Sequence, residues 1–355
     1  MSKKDNRQDL NVQDFDYFLP EAQIAQSPLK KRSDSKLLLI NRHNKQLHHD
    51  SFVSLDRWLK SGDLLVVNNT QVIPARLHGF KDTGAKVEIL LLERLNDTDL
   101  KALVKPGRRL KKGAKIEFPS SSLRAEILTE LEQGERIVTF TWDKKYRFEE
   151  ILSLLGEMPL PPYIHEKLEE PRRYQTVYAQ VDGSAAAPTA GLHFTQEMLV
   201  NLQSKGIEIA SLTLHVGLGT FRPVSVEKVS QHRMHQESFS LSPEAAEKIN
   251  RAKQEKRRVI AVGTTSARVL ETLADSKGLV KAQTGSTDIF IYPGYEFHCL
   301  DGLITNFHLP KSTLLMMVSA FSSREIIFNA YAEAIARDYR FFSFGDATFM
   351  ACHDI

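Results

Sequence analysis

The sequence predicts an α/β domain with a mostly parallel sheet, into which a small β-barrel domain is inserted. Three observations predict it. Wholly apolar runs such as Leu37-Leu38-Leu39-Ile40 and Leu64-Leu65-Val66-Val67 have the pattern of strands buried on both faces. In the C-terminal half such runs alternate with helical patterns, and helices over both faces are what a parallel sheet needs. Between about 75 and 145 neither pattern holds. Short strand-like segments follow one another there, punctuated by Gly84, Gly113 and Gly134, as in a small barrel or sandwich. The boundaries drawn from this are 1–74 and 156–355 for the α/β domain and 75–155 for the insertion.

Taken in order, residues 36–40 form the first strand, and the polar His/Asn stretch after them reads as a turn. Residues 63–67 form a buried strand that runs into Asn68-Asn69-Thr70, a loop whose polar side chains can act on a ligand. The insertion holds strands at 85–92, 100–105, 114–118, 123–129 and 136–142, with a turn at Pro106-Gly107. After Pro159-Leu160-Pro161-Pro162 the α/β pattern returns, beginning with a helix over 195–204 capped by Thr195. A strand at 207–216 follows, then a helix over 243–256 with Ser242 as cap and Pro243 at its first position. A buried strand at 258–262 leads through a loop to a helix at about 266–275, and helices at 313–321 and 324–338 complete the pattern.

Lys+Arg 47 against Asp+Glu 44 leaves a net charge of +3, too balanced to imply a nucleic-acid partner unless local clusters do so. Cys299 and Cys352 form no C-x-x-C and no zinc-type spacing, which supports neither a disulfide framework nor a structural zinc site. The N-terminus lacks the apolar core of a signal peptide. The longest apolar candidate, 312–323, stops at Arg324, short of the roughly 20 residues a bilayer span needs. A cytoplasmic protein with no membrane partner is expected.

Several segments carry candidate chemistry. Val262-Gly263-Thr264-Thr265-Ser266-Ala267-Arg268 is a strand end feeding a Gly/Thr/Ser loop and a helix. This is the arrangement with which open α/β sheets bind ligands at their carboxyl edge, although a simple helix cap explains it equally well. In Leu214-His215-Val216-Gly217-Leu218-Gly219-Thr220 the glycines permit a close approach of backbone to ligand, or merely a tight turn. His232, His235 and Glu237 suggest a proton-transfer pair more than a metal site, because no third ligand is identifiable. Small residues from Ala185 to Gly191, Thr189 among them, precede His193 and leave room for a bulky group. Asn306 and His308 face one way on an extended segment. Lys105, Arg108, Arg109, Lys111, Lys112 and Lys115 form an acid-free basic turn suited to a phosphate backbone, or to guarding an edge strand.

These segments resemble, in order and over nearly the whole chain, the S-adenosylmethionine:tRNA ribosyltransferase-isomerases of queuosine biosynthesis. The resemblance rests on D-L-L-V-V-N-N-T-Q-V-I-P-A-R-L at 63–77, A-A-P-T-A-G-L-H-F at 186–194 and T-L-H-V-G-L-G-T-F at 213–221. It extends through M-H-Q-E at 234–237, V-G-T-T-S-A-R at 262–268 and L-I-T-N-F-H-L-P-K-S-T-L at 303–314. It implies an α/β domain with an inserted barrel. It also implies transfer and isomerisation of the ribosyl group of S-adenosylmethionine onto 7-aminomethyl-7-deazaguanine at the tRNA wobble position, giving epoxyqueuosine-tRNA, adenine and methionine. S-adenosylmethionine is then a consumed donor, with no metal or true cofactor, and the partner is a tRNA anticodon stem-loop. A monomer is expected.

That reaction needs a base to take a C5′ proton, a donor to help adenine leave, and access for the aminomethyl group. The expected proton-transfer pair is His235 with Glu237, with His193 or His308 assisting adenine departure. The expected donor pocket is Thr189, Thr220, Thr264, Thr265, Ser266, Arg268 and Asn306, and the expected tRNA contacts are Lys105, Arg108, Arg109, Lys111 and Lys112. The family usually has Asp where Asn69 stands, so no catalytic role is expected there. Two other readings are a non-catalytic tRNA-binding module and a conventional methyltransferase. The latter fits poorly, because the early Gly-rich nucleotide loop is missing.

Overall fold

The computed structural model describes residues 10–131, 134–217 and 224–351. Strand β1 (Lys36–Asn41) is buried on both faces beyond its first residue, and β2 (Leu47–Ser51) returns beside it as an antiparallel edge. Strands β3 (Leu64–Asn68) and β4 (Thr70–Val72) follow.

The barrel comes next, as β5 (Arg76–Lys81), β6 (Lys86–Arg94), β7 (Asp99–Lys105), β8 (Lys115–Glu117), β9 (Arg124–Glu130) and β10 (Glu135–Thr141). Its strands close in the order β10-β7-β6-β5-β8-β9. Buried and partly exposed residues alternate along β7 and β10, the period of two that places every second side chain inside. Helix α1 (Phe148–Leu155) packs Phe148, Ile151 and Leu152 into the same apolar cluster.

Strand β5 was not expected. Its Gly79 interrupts the apolar alternation because a Cβ there would meet the Glu117 carbonyl and Ile116 at 2.8 Å. The gap in the pattern is a close approach of two backbones.

The chain then returns through β11 (Val181–Ser184), α2 (Gln196–Ser204), β12 (Glu208–Leu214), β13 (Glu237–Leu241), α3 (Pro243–Gln254), β14 (Val259–Val262) and α4 (Thr264–Leu273). Strands β15 (Gln283–Thr287) and β16 (Gly302–Asn306), helices α5 (Thr313–Phe321) and α6 (Arg324–Ala336), and β17 (Ala347–Ala351) complete it. Four helices begin at side-chain caps. Thr195, Ser242, Ser312 and Ser323 each accept the backbone N–H three residues on.

The main sheet runs β15-β13-β12-β3-β14-β16-β17-β1-β2. Its centre, β12 to β16, is parallel, and antiparallel strands flank it. The carboxyl ends of β3, β12, β14 and β16 therefore share one edge. Because β17 runs antiparallel to β16 and parallel to β1, the starts of β1 and β17 meet that same edge. One large apolar cluster covers one face of the sheet and a second, built on Phe52, Phe194 and Leu202, covers the other. Among the described residues, no helix is long and apolar enough to cross a membrane.

Candidate functional site

Polar groups are buried along the carboxyl edge. Asn68, the last residue of β3, is fully buried; its Nδ2 donates to the Leu214 carbonyl and its Oδ1 accepts the Leu214 and Thr70 N–H groups. Asn69 Oδ1 accepts from the Thr213 hydroxyl at 2.7 Å. The expectation of a ligand-facing loop at 68–70 is thus corrected: these side chains clamp the end of β12, and Thr70 opens β4. Asn69 fills a structural place in which its amide oxygen is the working atom.

A cavity of about 690 Å³ lies directly beyond this edge. Thr189, Thr264, Thr265, Asn306 and His308 line it, with Val216, Leu309, Leu314 and Phe342 as apolar wall. Helix α4 starts immediately after Gly263, so Thr264 and Thr265 belong to its first turn and the loop expected before residue 266 is absent.

A second and larger space, about 2130 Å³, opens between the edge and the barrel. His215, His235, Glu237 and Asp182 line it from one side, and Arg94, Glu93 and Lys101 from the barrel side. The two spaces share a wall. Ala187 and Val216 face the cavity, while Ala185, His215 and Gly217 face the cleft.

Glu237 is buried and ion-paired to buried Arg268, and its Oε1 accepts the Gly217 N–H at 2.9 Å. His235 lines the same cleft, but among the described residues no hydrogen bond joins the two. Arg268 Nε and Nη2 are buried without a hydrogen-bond partner among the described residues.

His215, quoted only within a motif by the sequence reading, has the more built environment. Its Nδ1 bonds the Thr70 hydroxyl at 2.9 Å. Burial holds its pKa below the usual imidazole value against the opposing pull of Asp182. Gly183 makes the room: a Cβ there would stand 2.9 Å from the ring, and its φ of +141° is one that only glycine adopts freely. The signal in the sequence was the glycine two residues before the Ala run, which has no meaning until the ring is placed over it.

Other expected residues lie elsewhere. His193 is not on the wall of the 690 Å³ cavity; it lines a smaller neighbouring one with Arg32, Ser35 and Arg173. Its Nδ1 bonds Ser35 Oγ at 2.8 Å and its Nε2 faces Asn306 Nδ2 at 3.2 Å. Burial, then the nearby Arg32 and Arg340 charges, push its pKa down to about 3. Both of its nitrogens are engaged and the ring is neutral near pH 7. His308 does face the cavity and bonds Thr305 Oγ1 at 3.2 Å, and burial alone pushes its pKa down to about 3.

Ser266 is also off the wall, its hydroxyl donating to the Val262 carbonyl one turn back. Arg268 serves Glu237 and is not on the cavity wall. Lys105, Arg108, Arg109, Lys111 and Lys112 are exposed on the barrel and line neither space. Thr220 lies outside the described residues. Among the described residues, no group of three or more His, Cys, Asp or Glu side chains is placed to hold a metal ion.

The chain matches, over residues 12–350, the family model described as Queuosine biosynthesis protein. It is 56% identical over 338 residues to an S-adenosylmethionine:tRNA ribosyltransferase-isomerase of Carboxydothermus hydrogenoformans, covering 95% of this chain and 99% of the relative. It is 55% identical to the protein of the same name from Staphylococcus haemolyticus, with the same coverage. A crystal structure of S-adenosylmethionine tRNA ribosyltransferase from Thermotoga maritima superposes with a TM-score of 0.55 at 37% identity, covering 95% of this chain and 99% of that one.

Proposed function

Because the chain belongs to the queuosine biosynthesis protein family, we propose that it is an S-adenosylmethionine:tRNA ribosyltransferase-isomerase, which spends the ribosyl group of its donor on a tRNA base and releases adenine and methionine. The observation that carries this reading is the pair of abutting spaces at the carboxyl edge. The space at the edge, walled by Thr, Asn, His and apolar side chains, suits one small molecule, and the cleft beside it toward the barrel is several times larger. The donor's nucleoside fits the first, and a modified purine presented by tRNA fits the second.

The residues divide accordingly. Thr189, Thr264, Thr265, Asn306 and His308 surround the donor. The C5′ carbon of the donor, acidified by the sulfonium, points through the shared wall toward the cleft. There His215, neutral at pH 7 and anchored by Thr70, takes the proton, and His235 stands beside the incoming aminomethyl group. The Glu237–Arg268 pair fixes charge at the junction. The exposed basic turn of the barrel follows tRNA phosphates, and the chain divides at 74/75 and 155/156 into the body that holds the donor and the insertion that meets the nucleic acid.

The test is incubation with S-adenosylmethionine and tRNA carrying 7-aminomethyl-7-deazaguanine. Free adenine and methionine should appear in step with modified tRNA. S-adenosylhomocysteine in their place would make the protein a methyltransferase, and tRNA binding with neither product would make it a binding module. In the same preparation, replacing Arg108, Arg109, Lys111 and Lys112 by Ala should flatten the salt dependence of tRNA binding; an unchanged slope removes the turn from the interface.

A further inference from the structure

Asn306 ends β16 at the wall of the 690 Å³ cavity and is almost fully buried. Its Nδ2 donates to the Phe342 carbonyl at 2.9 Å and toward His193 Nε2 at 3.2 Å. A carbonyl oxygen only accepts, so the amide cannot be turned over without setting two oxygens against each other. His193 is neutral, and with Nε2 accepting from Asn306 its proton sits on Nδ1 and is donated to Ser35 Oγ. Ser35, His193 and Phe342 together therefore fix which end of the amide is left over. That end is Oδ1, a buried acceptor with no hydrogen-bond partner among the described residues. On the same wall, Thr265 Oγ1 is a second buried polar atom without a partner.

Leaving such atoms unmade is costly in the empty protein, so a ligand that satisfies them gains accordingly. A ligand that satisfies them carries a donor for Asn306 Oδ1 and a group that pairs with the Thr265 hydroxyl, on a body apolar enough for the Leu309, Leu314 and Phe342 surfaces. The edge of a 6-aminopurine, an amino donor next to a ring nitrogen, supplies both. We propose that Asn306 Oδ1 accepts the exocyclic amino group of the donor's adenine, that the Thr265 hydroxyl donates to a ring nitrogen of the same base, and that His193 and Ser35 are positioning residues that set the amide's orientation. The inference rests on the reading of this cavity as the donor site and names the atoms that select the base. A 6-oxopurine presents an oxygen where the amino group stood, and two acceptors then face each other.

The test is equilibrium binding, by calorimetry, of S-adenosylmethionine and of its 6-oxo analogue, S-inosylmethionine. Wild-type protein should prefer the amino compound by about 10³-fold or more, as sites built to hydrogen-bond a ligand group do. Asn306→Ala should weaken S-adenosylmethionine binding about 10-fold or more and bring the two ligands within a few-fold of each other. His193→Phe should lose preference in the same sense while Asn306 is still present, which a merely space-filling role for the imidazole does not predict. Thr265→Val, a near-isosteric change on the first turn of α4, keeps the test alive if Asn306→Ala fails to fold: it should reduce affinity for the amino compound. Equal affinity of wild-type protein for the two ligands overturns the inference, as does an unchanged preference in the folded variants. Because binding is the readout, a protein that prefers the amino compound yet releases no adenine refutes the proposed reaction and leaves the purine site standing.

Discussion

Two buried arginine–carboxylate pairs bracket β14, and they are built differently. Before the strand, Arg258 engages Asp63 through both Nε and Nη2, and Nη2 also reaches the Trp58 carbonyl. Asp63 in turn accepts the Lys60 N–H at 2.7 Å. After the strand, on α4, Arg268 meets Glu237 through Nη1 alone and leaves Nε and Nη2 unpartnered among the described residues. The first pair is bidentate and further hydrogen-bonded, as a structural ion pair needs to be to repay its desolvation. The second leaves two guanidinium nitrogens unused behind Glu237, which itself lines the cleft. The same sheet thus satisfies its buried guanidinium groups more fully at one end than at the other.

The sharpest way to break this comparison is to remove each pair. Arg258→Met and Arg268→Met should each cost about 3–5 kcal/mol of stability, because each strands a buried carboxylate; chemical unfolding measures this. Replacing the partner as well, with Asp63→Leu or Glu237→Leu, should restore most of it in both cases. The double variant at Arg258 should then release adenine at near the wild-type rate, and the double variant at Arg268 should not. Equal activity of the two would erase the distinction.

A smaller effect is expected at Gly183. Gly183→Ala should push the His215 ring off its place and lower kcat by about 10²-fold, the cost of an ångström-scale misplacement, with little change in donor affinity. A fall in donor affinity with kcat intact would move His215 out of the proton-transfer role.

The smallest effect sharpens the comparison through pH. His193 and His308 titrate near pH 3 in the fold, against about 6.5 when unfolded. The folded pKa is depressed, so the unfolded chain takes up protons that the fold refuses. Their stabilisation is complete above pH 6.5 and is lost as the pH falls toward 3, by up to about 1.4 kcal/mol per pH unit for each imidazole. Urea unfolding at pH 7.5 and 5.0 should show wild-type stability falling and His193→Gln falling less; parallel losses would count against a neutral buried His193.

Much of this architecture is legible in the sequence, for physical reasons. Parallel-sheet strands such as β3 and β14 are apolar on both faces and announce themselves, and Thr195, Ser242 and Pro243 mark helix starts chemically. Strand β5 is not legible, because Gly79 is small for the sake of a neighbouring backbone. Helix α1 is not legible, because two turns give too little periodicity. At the site, Thr189, Thr264, Thr265 and Asn306, grouped from the sequence around one pocket, do line one cavity, together with His308. It does not reveal that His193 lies behind that wall, that Arg268 is committed to Glu237, or that His215 sits over Gly183. Those are tertiary facts: which side of a wall a residue takes depends on partners far away in the chain.

The barrel joins the body through a narrow neck. Arg76 and Glu157 exchange both backbone hydrogen bonds, at 3.2 and 2.8 Å, and just inside them β4 and β11 pair in parallel. The polypeptide therefore departs and comes back at one spot, and the insertion is a bubble on an otherwise continuous thread. A short bridge across its base would close the chain without rerouting a strand of the large sheet, the circumstance in which whole modules are gained, lost or exchanged between proteins. The barrel can thus be swapped while the large sheet and its carboxyl edge stay as they are.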